Sequence, residues 1–104
     1  MGYYTRHELA IQNGSNDLIQ ELREFSEEAS YAIDEDGSTE DCTKWYKHER
    51  DLRSFSALHP KVIFKLIGEG EETGDLWHEY YMNGKMQLCK SVISYPQFNS
   101  DLLE

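Results

Sequence analysis

Residues 3–12 place their larger side chains at alternate positions, a period of two that is typical of a β-strand with one buried face. The turn-forming run Asn-Gly-Ser at 13–15 ends this segment. The first predicted element is therefore a strand, and the positions on its buried face are Tyr3, Thr5, His7, Leu9 and Ile11.

The apolar period then changes to that of an amphipathic helix. From Leu18 to Ala32, apolar residues recur at i, i+4, i+7, i+11 and i+14, which lie on one side of an α-helix. Asp17, with Gln20 three residues later, resembles a capping box and marks the beginning of the helix. We expect this helix to end near Ile33.

A second helix is predicted from Leu52, Phe55 and Leu58, which follow one another at helical spacing. Pro60 bounds it, because the residue before a proline disfavours the helical conformation. The segment between the two helices is ambiguous, and its residues 42–46 are compatible with a short strand.

Three further strands are predicted after the second helix. Residues 61–70 and 76–82 are rich in β-branched and aromatic side chains, as strands usually are. Residues 87–94 follow Asn83-Gly84, the strongest short-range signal for a β-hairpin. These segments predict consecutive antiparallel strands, with the run GEGEETGD at 68–75 as the turn between the first two.

The order of these elements, β-α-(β)-α-β-β-β, predicts an α+β fold. We expect an antiparallel-rich sheet of four to five strands with two helices packed on one face. The sequence has no internal repeat and no linker long enough to divide it. A chain of 104 residues has material for one hydrophobic core, so residues 1–104 are predicted to form a single domain.

The run TKWYKHERDLRSFSALHPKVIFKLIGEGEETGDLWHEYYMNGK, residues 43–85, combines several structural motifs. They are a Lys44-Trp45 strand, a helix ending in Ser56-x-x-x-Pro60, a Val62-x-Phe64 strand, a Glu71-Glu72 turn followed by Gly74, and an aromatic hairpin closing on Asn83-Gly84. In these motifs the chain resembles an uncharacterised, ferredoxin-like family of small proteins carried by phages, plasmids and other mobile elements. The length of the Glu-rich turn and the acidic first helix depart from that family. The resemblance implies a ferredoxin-like fold and a mobile-element origin, and it carries no catalytic residues.

Charge is unevenly distributed along the chain, whose net charge is −10. Residues 17–41 hold ten acids against Arg23 alone, residues 42–68 have a net charge of +4, and residues 69–79 add five acids. Binding to a phosphate backbone needs clustered Lys and Arg. The charge pattern therefore argues against nucleic acid as a direct ligand and favours a basic protein as the partner.

Carboxylates on the first helix and on the Glu-rich turn are the candidate contacts for such a partner. On one continuous helix, the five acids from Asp17 to Glu28 would span about 16 Å, close to one charge for each phosphate of a DNA strand. This spacing suggests mimicry of DNA. The predicted partner-binding residues are Asp17, Glu21, Glu24, Glu27, Glu28, Asp34, Glu35, Asp36, Glu69, Glu71, Glu72 and Asp75.

Aromatic residues provide a second set of candidate contacts, because Trp and Tyr are frequent in interface hot spots. Strand alternation predicts that Trp77 and Tyr81 share one face while His78 and Tyr80 share the other. The predicted aromatic contacts are Trp45, His78 and Tyr80.

The sequence gives little support to catalytic or metal chemistry. The Glu-rich turn at 69–79 offers oxygen ligands that would suit Ca²⁺ or Mg²⁺, but its spacing departs from that of a calcium-binding loop. Its carboxylates are predicted to be solvent-facing and chemically inert. The four His residues are scattered and none belongs to a nucleophile motif. We expect no catalytic residue, no metal site and no cofactor.

Cys42 and Cys89 lack metal-ligand spacing and are expected to be reduced thiols. No segment is long and apolar enough to span a bilayer, and the first ten residues do not form a signal peptide. Arg6 stands where a myristoylation motif needs Ser or Thr. These features predict a cytoplasmic protein without a membrane partner.

Three functions remain as hypotheses. The first is a non-enzymatic acidic protein of a phage or mobile element that binds and inhibits a basic host factor, such as a nucleic-acid-processing or defence enzyme, in the manner of a DNA mimic or an anti-CRISPR protein. The second is a small metal-dependent enzyme or metal-binding protein that uses the turn at 69–79. The third is an oligomeric structural protein, such as a homodimer formed through a sheet edge.

Overall fold

Five strands form an open antiparallel sheet in the part of the chain that the computed structural model describes, namely residues 4–38, 42–72, 74–91 and 97–103. The strands are β1 (Thr5–Ile11), β2 (Cys42–Thr43), β3 (Phe64–Gly70), β4 (Leu76–Met82) and β5 (Lys85–Lys90). Their spatial order is β2-β1-β3-β4-β5, and all neighbours are antiparallel. The predicted α+β class is confirmed, and the architecture is consistent with a ferredoxin-like α+β fold.

The helices of the described residues are α1 (Asp17–Phe25), α2 (Glu27–Ala32) and α3 (His48–Leu58), followed by a 3₁₀ turn at Ser100–Leu102. The sequence predicted one helix from Asp17 to near Ile33, and this prediction is wrong at Ser26. The backbone of Ser26 is extended, with φ −128° and ψ 121°, and its hydroxyl accepts a hydrogen bond from the N–H of Ala29. Ser26 therefore caps a new helix instead of continuing the first one.

The beginning of α1 also differs from the predicted capping box. Asp17 is the first helical residue, and its N–H donates to the hydroxyl of Ser15 at 3.1 Å. The preceding residue, Asn16, makes no side-chain cap hydrogen bond. The hydroxyl of Ser15, two positions before Asp17, therefore accepts a hydrogen bond at the beginning of α1, where the Asp17 pattern was expected to form the cap.

The strand predicted at 61–70 begins at Phe64. Before it, the side chain of Asn13 accepts from the N–H of Ile63 and donates to the carbonyl of Lys61, both at 2.6 Å. These bonds occupy the carbonyl of Lys61 and the N–H of Ile63, while the carbonyl of Ile63 accepts from the N–H of Gln12, just after β1. The strand predicted at 87–94 begins at Lys85 and ends at Lys90, and residues 92–96 lie outside the described residues.

Both predicted hairpins are present. Asn83 and Gly84 have positive φ values of 51° and 76°, as a tight two-residue turn between β4 and β5 requires. In the predicted turn between β3 and β4, Gly74 has a φ of 84°, and residue 73 lies outside the described residues. The short β2 falls within the ambiguous segment at 42–46.

The core lies between one face of the sheet and the three helices. The strands bury alternate residues on that face, so that Leu9, Leu66 and Glu79 are cross-strand neighbours in one row. Leu58, one of the three residues whose spacing predicted α3, is 63% exposed, because a residue six positions after Leu52 has rotated away from the buried side of the helix. The buried apolar residues are Leu9, Leu18, Ile19, Leu22, Ala29, Ala32, Ile33, Trp45, Leu52, Phe55, Phe64, Leu66 and Tyr81.

Two further observations concern the thiols and the helices. Cys42 is exposed and Cys89 is half-buried, and both are free thiols as predicted. Within the described ranges, the helices are too short and too polar to cross a lipid bilayer.

Candidate functional site

The acids of α1, α2 and the turn that follows them lie mostly on the protein surface. We use the term acidic surface for the seven exposed carboxylates in this region; Glu28 is only half-buried, and its Oε2 is buried without a hydrogen-bond partner. The acidic surface consists of Asp17, Glu21, Glu24, Glu27, Asp34, Glu35 and Asp36.

Arg23 is the only Lys or Arg between residues 17 and 43. Its guanidinium donates to the carbonyl of Ile33 at 2.9 Å, to Oε1 of Gln20 at 2.8 Å and to the carbonyl of Ser30 at 3.3 Å. The carboxylate of Glu35 lies 3.9 Å away. Arg23 thus joins α1 to the end of α2, and three of its contacts are to uncharged acceptors rather than to the surrounding acids.

The break at Ser26 changes the geometry on which DNA mimicry was predicted. Asp17, Glu21 and Glu24 belong to α1, whereas Glu27 and Glu28 occupy the first turn of α2. Acids in a first helical turn interact favourably with the positive end of the helix dipole. The regular 16 Å row expected for one helix is therefore absent, and the acidic surface is an irregular patch of charge.

The acids of the Glu-rich turn lie elsewhere. Oε1 of Glu71 accepts from the N–H of Tyr4 at 2.8 Å, immediately before β1. The carbonyl of Gly37, beside Asp36 of the acidic surface, accepts from the N–H of Leu9. Tyr4 and Leu9 are five residues apart, or about 16 Å along a strand. The turn is thus separated from the acidic surface, although both were predicted to bind one partner.

The other carboxylates of this turn differ in their contacts and in their exposure. Oε2 of Glu69 forms an ion pair with Arg6 at 3.1 Å across the β1–β3 ladder. Glu72 is exposed, and Asp75 is half-buried. In the described residues, no group of three or more His, Cys, Asp or Glu side chains has the arrangement of a metal site. The geometry therefore gives no support to the metal-dependent alternative at 69–79.

The predicted aromatic contacts do not form one surface. Trp45 is 2% exposed and belongs to the core, so it is not part of an exposed aromatic surface. His78 and Tyr80 are half-buried on the sheet face opposite the helices, with ring centroids 6.5 Å apart. Trp77 and Tyr81 lie on the helix-covered face, so the predicted division of these four residues is confirmed.

A buried polar cluster lies where the N-terminal end of α3 covers β1 and β4. Glu79 is 6% exposed, and its Oε1 accepts a 2.5 Å hydrogen bond from the hydroxyl of Tyr81. Nδ1 of His48, the first residue of α3, lies 2.8 Å from the same oxygen. That contact is at ion-pair distance but is not aligned as a hydrogen bond, so Nδ1 of His48 lacks a hydrogen-bond acceptor.

His7 is the fourth member of this cluster and is only 1% exposed. Its ring centroid lies 5.6 Å from Trp45, 6.0 Å from His48 and 6.2 Å from Trp77. Burial and, to a smaller extent, the charge of His48 lower the pKa of His7 to about 4, against the opposite effect of Glu79. His7 is therefore neutral at pH 7, and its Nδ1 has no hydrogen-bond partner among the described residues.

A second buried carboxylate joins the helices. Oδ2 of Asp51 accepts from the hydroxyl of Ser26 at 2.7 Å and from Nε1 of Trp45 at 2.9 Å, while Arg50 lies 3.1 Å from Oδ1. Burial would raise the pKa of Asp51, but the hydrogen bonds from Trp45, Ser26 and Arg50 outweigh it and lower that pKa. Asp51 thus remains ionised and connects the N-terminus of α2 to α3.

A pocket of about 340 Å³ opens beside the His7–His48–Glu79 cluster, and we call it the His7 pocket. One of its walls depends on Gly68, because a β-carbon there would lie 2.1 Å from Cζ2 of Trp77. The indole therefore occupies the space above Gly68, and it stacks on His48 at 5.1 Å. The pocket is lined by Thr5, His7, Trp45, Tyr46, His48, Asp75, Trp77, Glu79, Leu88 and Lys90.

Sequence reasoning missed this pocket although one signal for it was present. Glu79 was grouped with the acids of the turn, yet it stands between Trp77 and Tyr81 at the same strand parity. The alternation that predicts two buried aromatics therefore also predicts a buried carboxylate. The pairing of Glu79 with His48 had no such signal, because the two residues come together only in the tertiary structure.

Comparison of the chain with protein-family models, with curated proteins and with solved structures gives no match.

Proposed function

We propose that the protein is a non-enzymatic interaction protein whose acidic surface binds a basic protein. The observation that carries the proposal is the exposure of seven carboxylates within residues 17–36, a stretch in which Arg23 is the only Lys or Arg. A surface with such an excess of one charge attracts partners of the opposite charge.

Several basic side chains after residue 43 have acidic or aromatic neighbours of their own. Arg53 pairs with Glu49 at 3.0 Å, and Arg50 pairs with Asp51. The ammonium of Lys44 lies 4.7 Å from the centre of the Tyr4 ring. Arg53 and Lys44 thus contact residues outside the acidic surface, whereas Arg50 lies beside Asp51, which bonds Ser26 at the start of α2. The excess of carboxylates gives the acidic surface a negative potential.

The partner class that fits this potential is a protein with a basic nucleic-acid channel. Such a channel is lined by Lys and Arg that contact phosphates, and clustered carboxylates are electrostatically complementary to it. Occupying the channel would inhibit the partner by excluding nucleic acid. A phage or mobile-element inhibitor of a host enzyme is the version of this proposal that the resemblance over residues 43–85 suggests.

The first experiment is a capture comparison between two variants with the same change in charge. One variant neutralises α1 (Asp17→Asn, Glu21→Gln, Glu24→Gln), and the other neutralises the β3–β4 turn (Glu69→Gln, Glu71→Gln, Glu72→Gln). The proposal predicts that the wild type and the turn variant retain the same basic protein from a host lysate at low salt, and that the α1 variant loses it.

Equal loss in both variants would show that net charge alone governs binding. Absence of any basic protein from the wild-type sample at low salt would contradict the proposal.

A further inference from the structure

The His7 pocket contains buried polar atoms that the described part of the protein leaves unsatisfied. Nδ1 of His7 is buried without a hydrogen-bond partner, whereas Nδ1 of His48 lies 2.8 Å from Oε1 of Glu79 without hydrogen-bond alignment. A buried polar group without a hydrogen-bond partner destabilises the folded protein. The unpartnered nitrogen of His7 lies beside an open cavity, which leaves space for a ligand that supplies the missing hydrogen bond.

The acidic side chain buried in this pocket is that of Glu79. The side chain of Glu79 is 7% exposed, and no Lys or Arg nitrogen in the described residues lies within ion-pair distance of it. An ionised carboxylate offers about four acceptor positions. Tyr81 occupies one and His48 lies against the same oxygen, so acceptor capacity remains for a ligand that donates hydrogen bonds.

Lysine charge lies at the mouth of the pocket, whereas the basic group inside it, His48, lies 2.8 Å from Oε1 of Glu79. Lys90 is exposed, and a long Lys side chain can keep its ammonium in water while its stem lines a cavity. Tyr46 also lines the mouth and is 62% exposed. The interior therefore presents the carboxylate of Glu79 with His48 against one oxygen, the neutral imidazole of His7 and aromatic rings, which together suit a cation that donates hydrogen bonds.

We propose that the His7 pocket binds a small organic cation of the guanidinium class. A guanidinium carries five N–H donors in one plane, which can donate both to the Glu79 carboxylate and to an unprotonated imidazole nitrogen. It is also more weakly hydrated than an ammonium group, so it enters a half-enclosed site more readily. The guanidinium belongs either to a free small molecule or to an Arg side chain of another protein.

This site is independent of the acidic surface, because the pocket is lined by none of the seven carboxylates that define that surface. A titration with small molecules therefore tests the His7 pocket without testing the proposed protein partner of the acidic surface. The cavity volume of about 340 Å³ is near the lower end of the range for small-molecule sites, about 300–1,000 Å³.

The test is a titration with arginine amide, followed by tryptophan fluorescence, since Trp45 and Trp77 both line the pocket. Citrulline amide is the matched control, because its neutral ureido group has a shape similar to the guanidinium of arginine amide without the guanidinium charge. We expect saturable binding of arginine amide, and at least about tenfold weaker binding of citrulline amide, as loss of a buried charge contact implies. Equal binding of the two probes, or no saturation by arginine amide, would overturn the proposal.

Two variants localise the binding. Glu79→Gln removes the carboxylate charge and should weaken arginine amide by about tenfold or more. Leu88→Trp fills the mouth from a side chain that is 46% exposed, so it should block binding even if Glu79→Gln fails to fold. Glu24→Gln, on the acidic surface, should bind as the wild type does. Unchanged affinity in Leu88→Trp would place the ligand elsewhere and contradict the proposal.

Two further probes identify the source of the cation. Agmatine presents a free guanidinium compound, and a short peptide with one central Arg presents the same group on a polypeptide. Preference for either probe supports the site and distinguishes a metabolite-like ligand from a protein side chain. Binding of inorganic phosphate, without binding of agmatine or of the peptide, would indicate an anion site and overturn the proposal.

Discussion

Trp45 donates its indole N–H to Asp51 in the interior of the protein, with 2.9 Å between Nε1 and Oδ2. The same oxygen accepts the hydroxyl of Ser26, the residue that caps α2. One buried carboxylate therefore fixes the segment after β2, the beginning of α2 and the first turns of α3. This relationship also explains why Trp45 is a core residue rather than a contact for a partner.

Replacing Asp51 should show how much this arrangement stabilises the fold. Asp51→Asn keeps the size of the side chain but weakens the charge-assisted bonds from Ser26, Trp45 and Arg50. We expect a loss of about 1–3 kcal/mol in the free energy of unfolding at pH 7, measured by urea denaturation. Glu24→Gln, an exposed change of the same kind, should alter stability by less than about 0.5 kcal/mol. Equal effects of the two variants would contradict a structural role for Asp51.

The same variant should also change the stability at low pH. The pKa of Asp51 is lower in the folded protein than its ordinary value of 3.8, so its ionised form stabilises the fold above that value. This contribution is lost as the pH falls from about 4 toward the folded pKa. Melting curves below pH 4 should therefore decline more steeply for the wild type than for Asp51→Asn. Parallel curves would show that Asp51 has no depressed pKa.

His7 should control stability in a different pH window. Its pKa in the folded protein is about 4, against 6.5 for an ordinary His, so the unfolded chain binds the extra proton between these values. Stability should therefore fall as the pH is lowered from about 6.5 to about 4. In His7→Gln this decline should be smaller, with His48 and Glu79 as the titratable groups that still face the site. Thermal melting at successive pH values measures the difference, and an unchanged slope would contradict the burial effect.

Substitution of Gly68 should destabilise the fold while Trp77 is present. Gly68→Ala places a β-carbon against the indole, and we expect overpacking to cost about 1–3 kcal/mol. In the background of Trp77→Leu the same change should cost less, because the obstructing ring is gone. A double-mutant cycle measured by urea denaturation tests this coupling. Additive effects would show that the glycine is needed for its backbone and not for the space it leaves.

The fold was largely predictable from the sequence because most of its signals are local. The Asn83-Gly84 pair, the alternation of β1 and the spacing of Leu52 with Phe55 each depend on a few adjacent residues. The break at Ser26 was not predicted, because the apolar period continues from α1 into α2. The hydroxyl of Ser26 accepts a hydrogen bond from the backbone N–H of Ala29, and this cap outweighs the apolar period. The same hydroxyl also donates to Asp51, a contact that is visible only in the folded protein.

The candidate sites were less predictable because they depend on which elements meet. The sequence indicated the excess of acids correctly, but it did not separate the surface of α1 and α2 from the turn that contacts Tyr4. The His7 pocket combines a residue of β1 with His48 of α3 and Glu79 of β4. No spacing along the chain predicts that combination, because the β1–β3–β4 ladder brings these residues together.

The most direct test of the proposed function is the affinity of the captured basic protein, measured as a function of salt. Between about 50 and about 300 mM salt the wild type should lose affinity steeply, because exposed charges are increasingly screened. The α1 variant (Asp17→Asn, Glu21→Gln, Glu24→Gln) should bind about tenfold more weakly at low salt and depend less on salt. The turn variant (Glu69→Gln, Glu71→Gln, Glu72→Gln) should match the wild type. An α1 variant with wild-type affinity and wild-type salt dependence would contradict the proposal that the acidic surface binds the partner.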